Sequence, residues 1–192
     1  TTQASVAGGI TTERLEFDLG VSFVDSAGFP TRTTDDTDRG YENLSASARV
    51  SADVGRAEVT LQHWRAEGTS EYSDFYLTPV DQDFENATTS LSVAWPVGAA
   101  VHAEVGASRL EDRIEQNQSA DFLATVRDSV DAQVDWRASP LHTLAAGAQF
   151  SREDASSDSY GERMRAETDT LNLFVQDQFE SGPHRALLAL KA

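Results

Sequence analysis

The side chains with catalytic potential are few and scattered. The four histidines are His63, His102, His142 and His184. His142 and His184 lie in or beside short turns, and His63 and His102 fall within strand-like runs on opposite sides of an apolar/polar alternation. No serine sits in a nucleophile-elbow pattern and no His-Glu-x-x-His spacing occurs. The chain has no cysteine, which excludes a disulfide framework and any thiolate metal site. Acid pairs such as Asp35/Asp36 are common in loops and do not by themselves signal acid–base work. Gly8-Gly9 is followed by no helix-forming pattern, so it is a turn or strand-end feature and not a phosphate loop. The residue chemistry points away from an enzyme and toward binding.

Charge narrows the partners further. The 192 residues carry a net charge of -17, so phosphate backbones are repelled and nucleic acid is excluded as a partner. Of the 32 acidic residues, 20 fall in the segments 25–42, 67–85, 110–121 and 152–167. Such charge serves as a solvated surface or as a crown that binds cations or polar ligands.

The elements that carry these residues announce themselves by a period of two. Leu15, Phe17, Leu19, Val21 and Phe23 alternate with Glu16, Asp18, Gly20 and Ser22, a pattern that a helix would smear around its circumference. The same alternation marks Leu44–Ala52, Val59/Leu61, Leu91–Trp95, Val101–Ala107, Phe122–Val126 with Val130–Trp136, Leu144–Phe150 and Leu171–Val175. Shorter runs at 4–10 and 185–191 bring the expected strands to about ten. The connections alternate in length. Short links at 11–13, 53–56, 96–99, 137–141 and 180–184, most with Gly or Pro, are interleaved with the four long acidic segments.

Short turns at one end and long loops at the other are the habit of outer-membrane barrels. A ten-residue strand, at roughly 3.3 Å per residue and a tilt of about 45°, covers the roughly 25 Å apolar band. No apolar run is long enough for a helical span. The expected fold is therefore all-β, an antiparallel transmembrane β-barrel, with residues 1–192 forming part of one barrel domain and long extracellular loops near 25–42, 67–85, 110–121 and 152–167. Trp95 and Trp136 occupy apolar-face positions beside short turns, where an interfacial girdle belongs. Trp64 is out of phase with Val59 and Leu61 and requires either a bulge or a polar-face position. The ragged first and last runs, and the lack of a terminal aromatic, read as a piece of a barrel with strands missing on both sides.

The stretch from His63-Trp64-Arg65 through Tyr72-Ser73-Asp74-Phe75-Tyr76 to Phe84-Glu85-Asn86 resembles the TonB-dependent outer-membrane receptors of the vitamin B12 (cobalamin) transporter type. So do Gly28-Phe29-Pro30 with Asp36-Thr37-Asp38-Arg39-Gly40-Tyr41, Asp112–Gln118, and Gln176-Asp177-Gln178 before Gly182-Pro183-His184. The likeness runs in order along nearly the whole chain. It implies about ten strands from the first half of a 22-stranded barrel in the outer membrane of a Gram-negative bacterium. The partners it implies are the bilayer with its lipopolysaccharide, a corrinoid substrate, and TonB acting through a plug domain absent from this chain. It also implies calcium in the extracellular loops. The Asp-x-Asp of the family's calcium cluster falls on Asp36 and Asp38, and the aromatic–acidic element of the next loop on Tyr72 and Asp74. One family aspartate is replaced by Pro30. Oxygen ligands at alternating positions suit Ca²⁺. Tyr72, Phe75 and Tyr76 stand as substrate-contacting aromatics, able either to cover a flat ligand ring or to pack the loop on itself. Two other classes stay open on residues alone: a soluble or surface-displayed all-β ligand-binding module, and an outer-membrane barrel enzyme.

Overall fold

The structure is a computed structural model and describes residues 1–32, 35–74 and 76–192, the side chains of 31, 32 and 35 apart. Ten strands form one antiparallel sheet in which each strand pairs with its neighbours in sequence. They are β1 (Thr2–Thr11), β2 (Leu15–Arg32), β3 (Asp35–Val54), β4 (Ala57–Ser73), β5 (Pro79–Pro96), β6 (Val101–Gln116), β7 (Phe122–Arg137), β8 (His142–Ser159), β9 (Glu162–Ser181) and β10 (His184–Lys191). Among the described residues there is no helix.

The register gathers the alternating apolar residues onto one face. Phe17 lies opposite Val50, Val50 opposite Leu61, Leu61 opposite Leu91, and the row continues through Ala107, Val130, Phe150 and Leu171. The opposite face at neighbouring positions carries Gln62, Ser90, Ser108, Ser129, Ser151 and Thr170, likewise in one row. A sandwich would bury the apolar face against a second sheet. Among the described residues there is no second layer: the buried apolar ones are Ala66, Ala87, Ala103 and Ala145, while Leu19, Leu91, Val130, Leu171 and Leu188 are exposed. A soluble domain with so wide an uncovered apolar face would aggregate, so the soluble-module reading has no core to stand on.

Trp95 and Trp136 are on the apolar face as expected, each close to a short turn. The registers of β3 with β4 and of β4 with β5 run unbroken through Trp64, which lies between Ser47 and Thr88. There is no bulge, and Trp64 belongs to the polar face. A register shift does occur in β2 between Ser26 and Phe29, where Gly28 has a φ of 76° that a side chain would resist.

The four segments read as long loops are largely strand. β4 continues past its last apolar-face residue, Leu61, to Ser73, and β8 and β9 stay paired out to Ser159 opposite Glu162. The connections at this end are short, at 74–78, 117–121 and 160–161. The asymmetry between the two ends lies in strand overhang rather than loop length. Beyond the apolar band both faces become polar, so hydropathy fades while backbone pairing goes on.

Candidate ligand-binding site

Where the strands overhang, the polar face changes character. Phe84, Ile114 and Leu123 occupy consecutive positions of one row across β5, β6 and β7, all out of phase with the apolar face. Tyr41 of β3 stacks on Phe84, with ring centroids 5.8 Å apart and planes 9° from parallel. Tyr72 lies opposite Val80 on the same face. Beside them lies a cavity of about 780 Å³ walled by Tyr72, Val80, Ile114 and Leu123, with Gln116 and Gln118 also lining it. Ligand sites typically combine such an apolar wall, a volume of roughly 300–1,000 Å³ and a few polar groups.

Three hairpins meet at this cavity, and carboxylates tie them together. Asp81 on β5 accepts hydrogen bonds from Asn117 Nδ2 and Gln118 Nε2 of the β6–β7 turn. Its backbone joins in, Asp81 N donating to Gln118 Oε1 at 3.0 Å and Asp81 O accepting from Asn117 N at 3.1 Å. The two side-chain amides stabilise the ionised form and hold the Asp81 carboxyl below its ordinary value of 3.8. Across the next gap, Asp121 Oδ1 accepts from the Tyr160 backbone N–H at 2.9 Å. Asp158, only 8% exposed, accepts from Gly161 N at 3.1 Å and pairs with Arg163 at 2.9 Å.

The site residues expected from sequence are only partly brought together. Tyr72 and Asp74 border the cavity. Asp74 Oδ1 accepts from the backbone N–H groups of Tyr76 and Thr78, both at 2.8 Å, and so caps the 74–78 turn. Tyr76 is 83% exposed and outside the cavity wall. Phe75 lies outside the described residues. Asp36 and Asp38 are exposed near the start of β3, Asp38 opposite Pro30, and neither borders the cavity. Among the described residues, no three His, Cys, Asp or Glu side chains are placed to share a metal ion. The expected calcium set of Asp36, Asp38 and Asp74 therefore does not fit as it stands. Of the apolar residues that do form the wall, Val80, Ile114 and Leu123 were not singled out from sequence, nor were Tyr160 at its edge and the neighbouring Tyr41–Phe84 stack.

No protein-family model and no curated protein matches the chain. Among solved structures, the chain is similar to the copper transporter OprC, with a TM-score of 0.68 at 15% identity, over 98% of this chain and 36% of that one. OprC is an outer-membrane barrel. The fold here is that of a transmembrane β-barrel wall. The chain spans about a third of the length of the barrel protein it matches. In such a wall the apolar face is the outer one and the polar face lines the lumen. Trp64, Tyr41 and Phe84 are then lumenal, and the cavity opens at the end where the strands overhang the apolar band.

Proposed function

We propose that this chain is part of the wall and extracellular rim of a TonB-dependent outer-membrane transporter of a Gram-negative bacterium, which takes up a large nutrient without covalent chemistry. One observation carries the reading. A single sheet presents a continuous apolar face that no described residue covers, backed by a hydroxyl- and amide-rich face that ends in an aromatic cavity. β1 pairs only with β2 and β10 only with β9. In lipid, each unpaired backbone group at such an edge costs several kcal/mol, so the working protein needs further strands to close the barrel. The plug through which TonB would act belongs to the same proposal.

The histidines support transport over catalysis. His63, His142 and His184 lie on the outer face and His102 on the lumenal face, each on a different strand, β4, β8, β10 and β6. For substrate, the proposal is a corrinoid, for which the Tyr72 ring and the Gln116 amide at the cavity wall are apt contacts. The copper in the name of OprC is a property of that protein. Copper favours thiolate, thioether or imidazole ligands, whereas this chain has no cysteine, a single methionine and dispersed histidines. The proposal routes no step through calcium, because the residues expected to hold it do not assemble.

The test uses the full-length protein extracted from outer membranes. Heat-modifiable gel migration and retention in the outer-membrane fraction are expected; a soluble protein with unchanged migration overturns the transporter reading. Titration with cobalamin, with and without calcium, addresses the substrate. No binding under either condition removes the corrinoid while leaving the barrel intact.

A further inference from the structure

Tyr160 breaks two local preferences at once. It forms with Gly161 the two-residue turn joining β8 to β9, with φ values of 53° and 82°. Both being positive, the turn is of the primed kind that Asn-Gly fills at least cost, and a bulky aromatic at its first position is strained. The ring is also 95% exposed, although it borders the 780 Å³ cavity. An exposed, strained aromatic gains nothing from packing.

The surroundings nevertheless hold it in place. Asp121 grips its backbone N–H from the β6–β7 turn, and Asp158 fixes the next residue while paired with Arg163. At the far end of the same cavity, on the β4–β5 hairpin, stands Tyr72. The wall between the two tyrosines is Val80, Ile114 and Leu123, while the acids that border the space are Asp74, Asp121 and Asp158, of which Asp158 is paired with Arg163. Aromatic rings at the two ends favour a ligand with a flat π face. The other two acids, Asp74 and Asp121, add negative charge there and disfavour an anionic one.

We infer that Tyr160 is a ligand-stacking residue, held over the mouth of the cavity by the Asp121 and Asp158 contacts to cover one face of a planar ligand that is uncharged or cationic. The inference rests on the transporter reading and adds to it a residue and a charge class.

Three planar macrocycles serve as probes on the full-length protein in detergent: an uncharged hydroxyphenyl porphyrin, a tetracationic pyridyl porphyrin, and a tetraanionic sulfonated porphyrin. The uncharged or the cationic probe is expected to bind at least roughly tenfold more tightly than the anionic one. Tyr160→Asn, which suits the turn better, should weaken that binding by roughly tenfold while thermal stability stays level or rises; Tyr160→Phe should bind within about twofold of the parent. The inference is overturned if Tyr160→Asn binds as the parent does, if the anionic probe binds as well as the others, or if the folded parent binds none of them. Loss of the transporter reading is seen separately, as a protein absent from the outer membrane and unchanged in heat-dependent migration.

Discussion

Single carboxylates at the end where the strands overhang act as joints. Asp74 satisfies two backbone N–H groups of its own turn, so Asp74→Ala should free both and cost about 1 kcal/mol of local stability, whereas Asp74→Asn keeps an acceptor oxygen and most of the cap. Faster amide exchange at Tyr76 and Thr78 in the alanine variant, with global unfolding unmoved, is the expected result. Asp81 makes a pH-dependent joint. Its carboxyl titrates below the ordinary value of 3.8 because Asn117 and Gln118 donate to the ionised form. A depressed folded-state value means that the stabilisation is fully present above the unfolded-state value and is lost as pH falls through the folded one. The link between β5 and the β6–β7 turn should therefore hold from neutral pH down to about 4 and loosen only below. Amide exchange at Asn117, followed against pH, checks this; loosening that begins near neutrality would contradict it. Asp81→Asn should abolish the pH dependence, since it removes the titrating group.

At the scale of the strands, side-chain parity decides which solvent each residue meets. Leu91 and Ser92 are adjacent on β5, one on the apolar face and one on the lumenal face. Leu91→Arg should cost about 2–4 kcal/mol of folding into vesicles, and Ser92→Arg much less, since the lumen holds water. Equal costs would contradict the face assignment. The lumenal face also has close joints: a side chain at Gly147 would meet the Phe174 ring at 2.4 Å and the Ala132 carbonyl oxygen at 2.9 Å. Gly147→Val should destabilise the barrel by about 1–3 kcal/mol, and Phe174→Leu in the same chain should relieve part of that loss. Parity also explains what was legible in the sequence. The strands were, because five alternating residues such as Leu15 to Phe23 admit no other reading. Trp64 stood out as out of phase, and Tyr41, Phe84, Ile114 and Leu123 share that signature: each is an apolar residue of the wrong parity for its strand. They went unnoticed because the alternation had faded around them, and hydropathy does not show where backbone pairing continues. Asp36 and Asp38 were chosen on motif likeness, which carries no information about which hairpins converge. Tyr160 had no sequence signal beyond preceding a glycine.

The whole sheet records its own tilt in the membrane. The upper edge of the apolar band on β2 is Phe23; following register neighbours through Leu44, Glu67, Glu85, Arg113, Ala124 and Ser156 leads to Arg165 on β9. The band on β9 begins instead at Leu171, six residues nearer the turn end after seven steps between strands. With roughly 3.3 Å per residue and 4.8 Å between strands, that drift corresponds to strands inclined by about 30°, close to the 35–45° of closed barrels. The tryptophans agree independently. Trp95 shares its row with Val134, and Trp136 lies two residues farther toward the turn end, two strands away. A membrane surface thus crosses the register obliquely, and register neighbours do not share a depth. Phe17 and Leu171 lie in one row, yet Phe17 should sit roughly 15–20 Å deeper below the outer surface, a distance that follows from seven strand spacings at this tilt. Single cysteines at positions 17, 23 and 171, read by depth-dependent quenching of an attached fluorophore in vesicles, would show 23 and 171 level with each other and 17 well below both. Equal depths for 17 and 171 would mean upright strands. A wall of upright strands could not close with the stagger that barrel geometry demands, so that outcome would remove the membrane assignment along with the tilt.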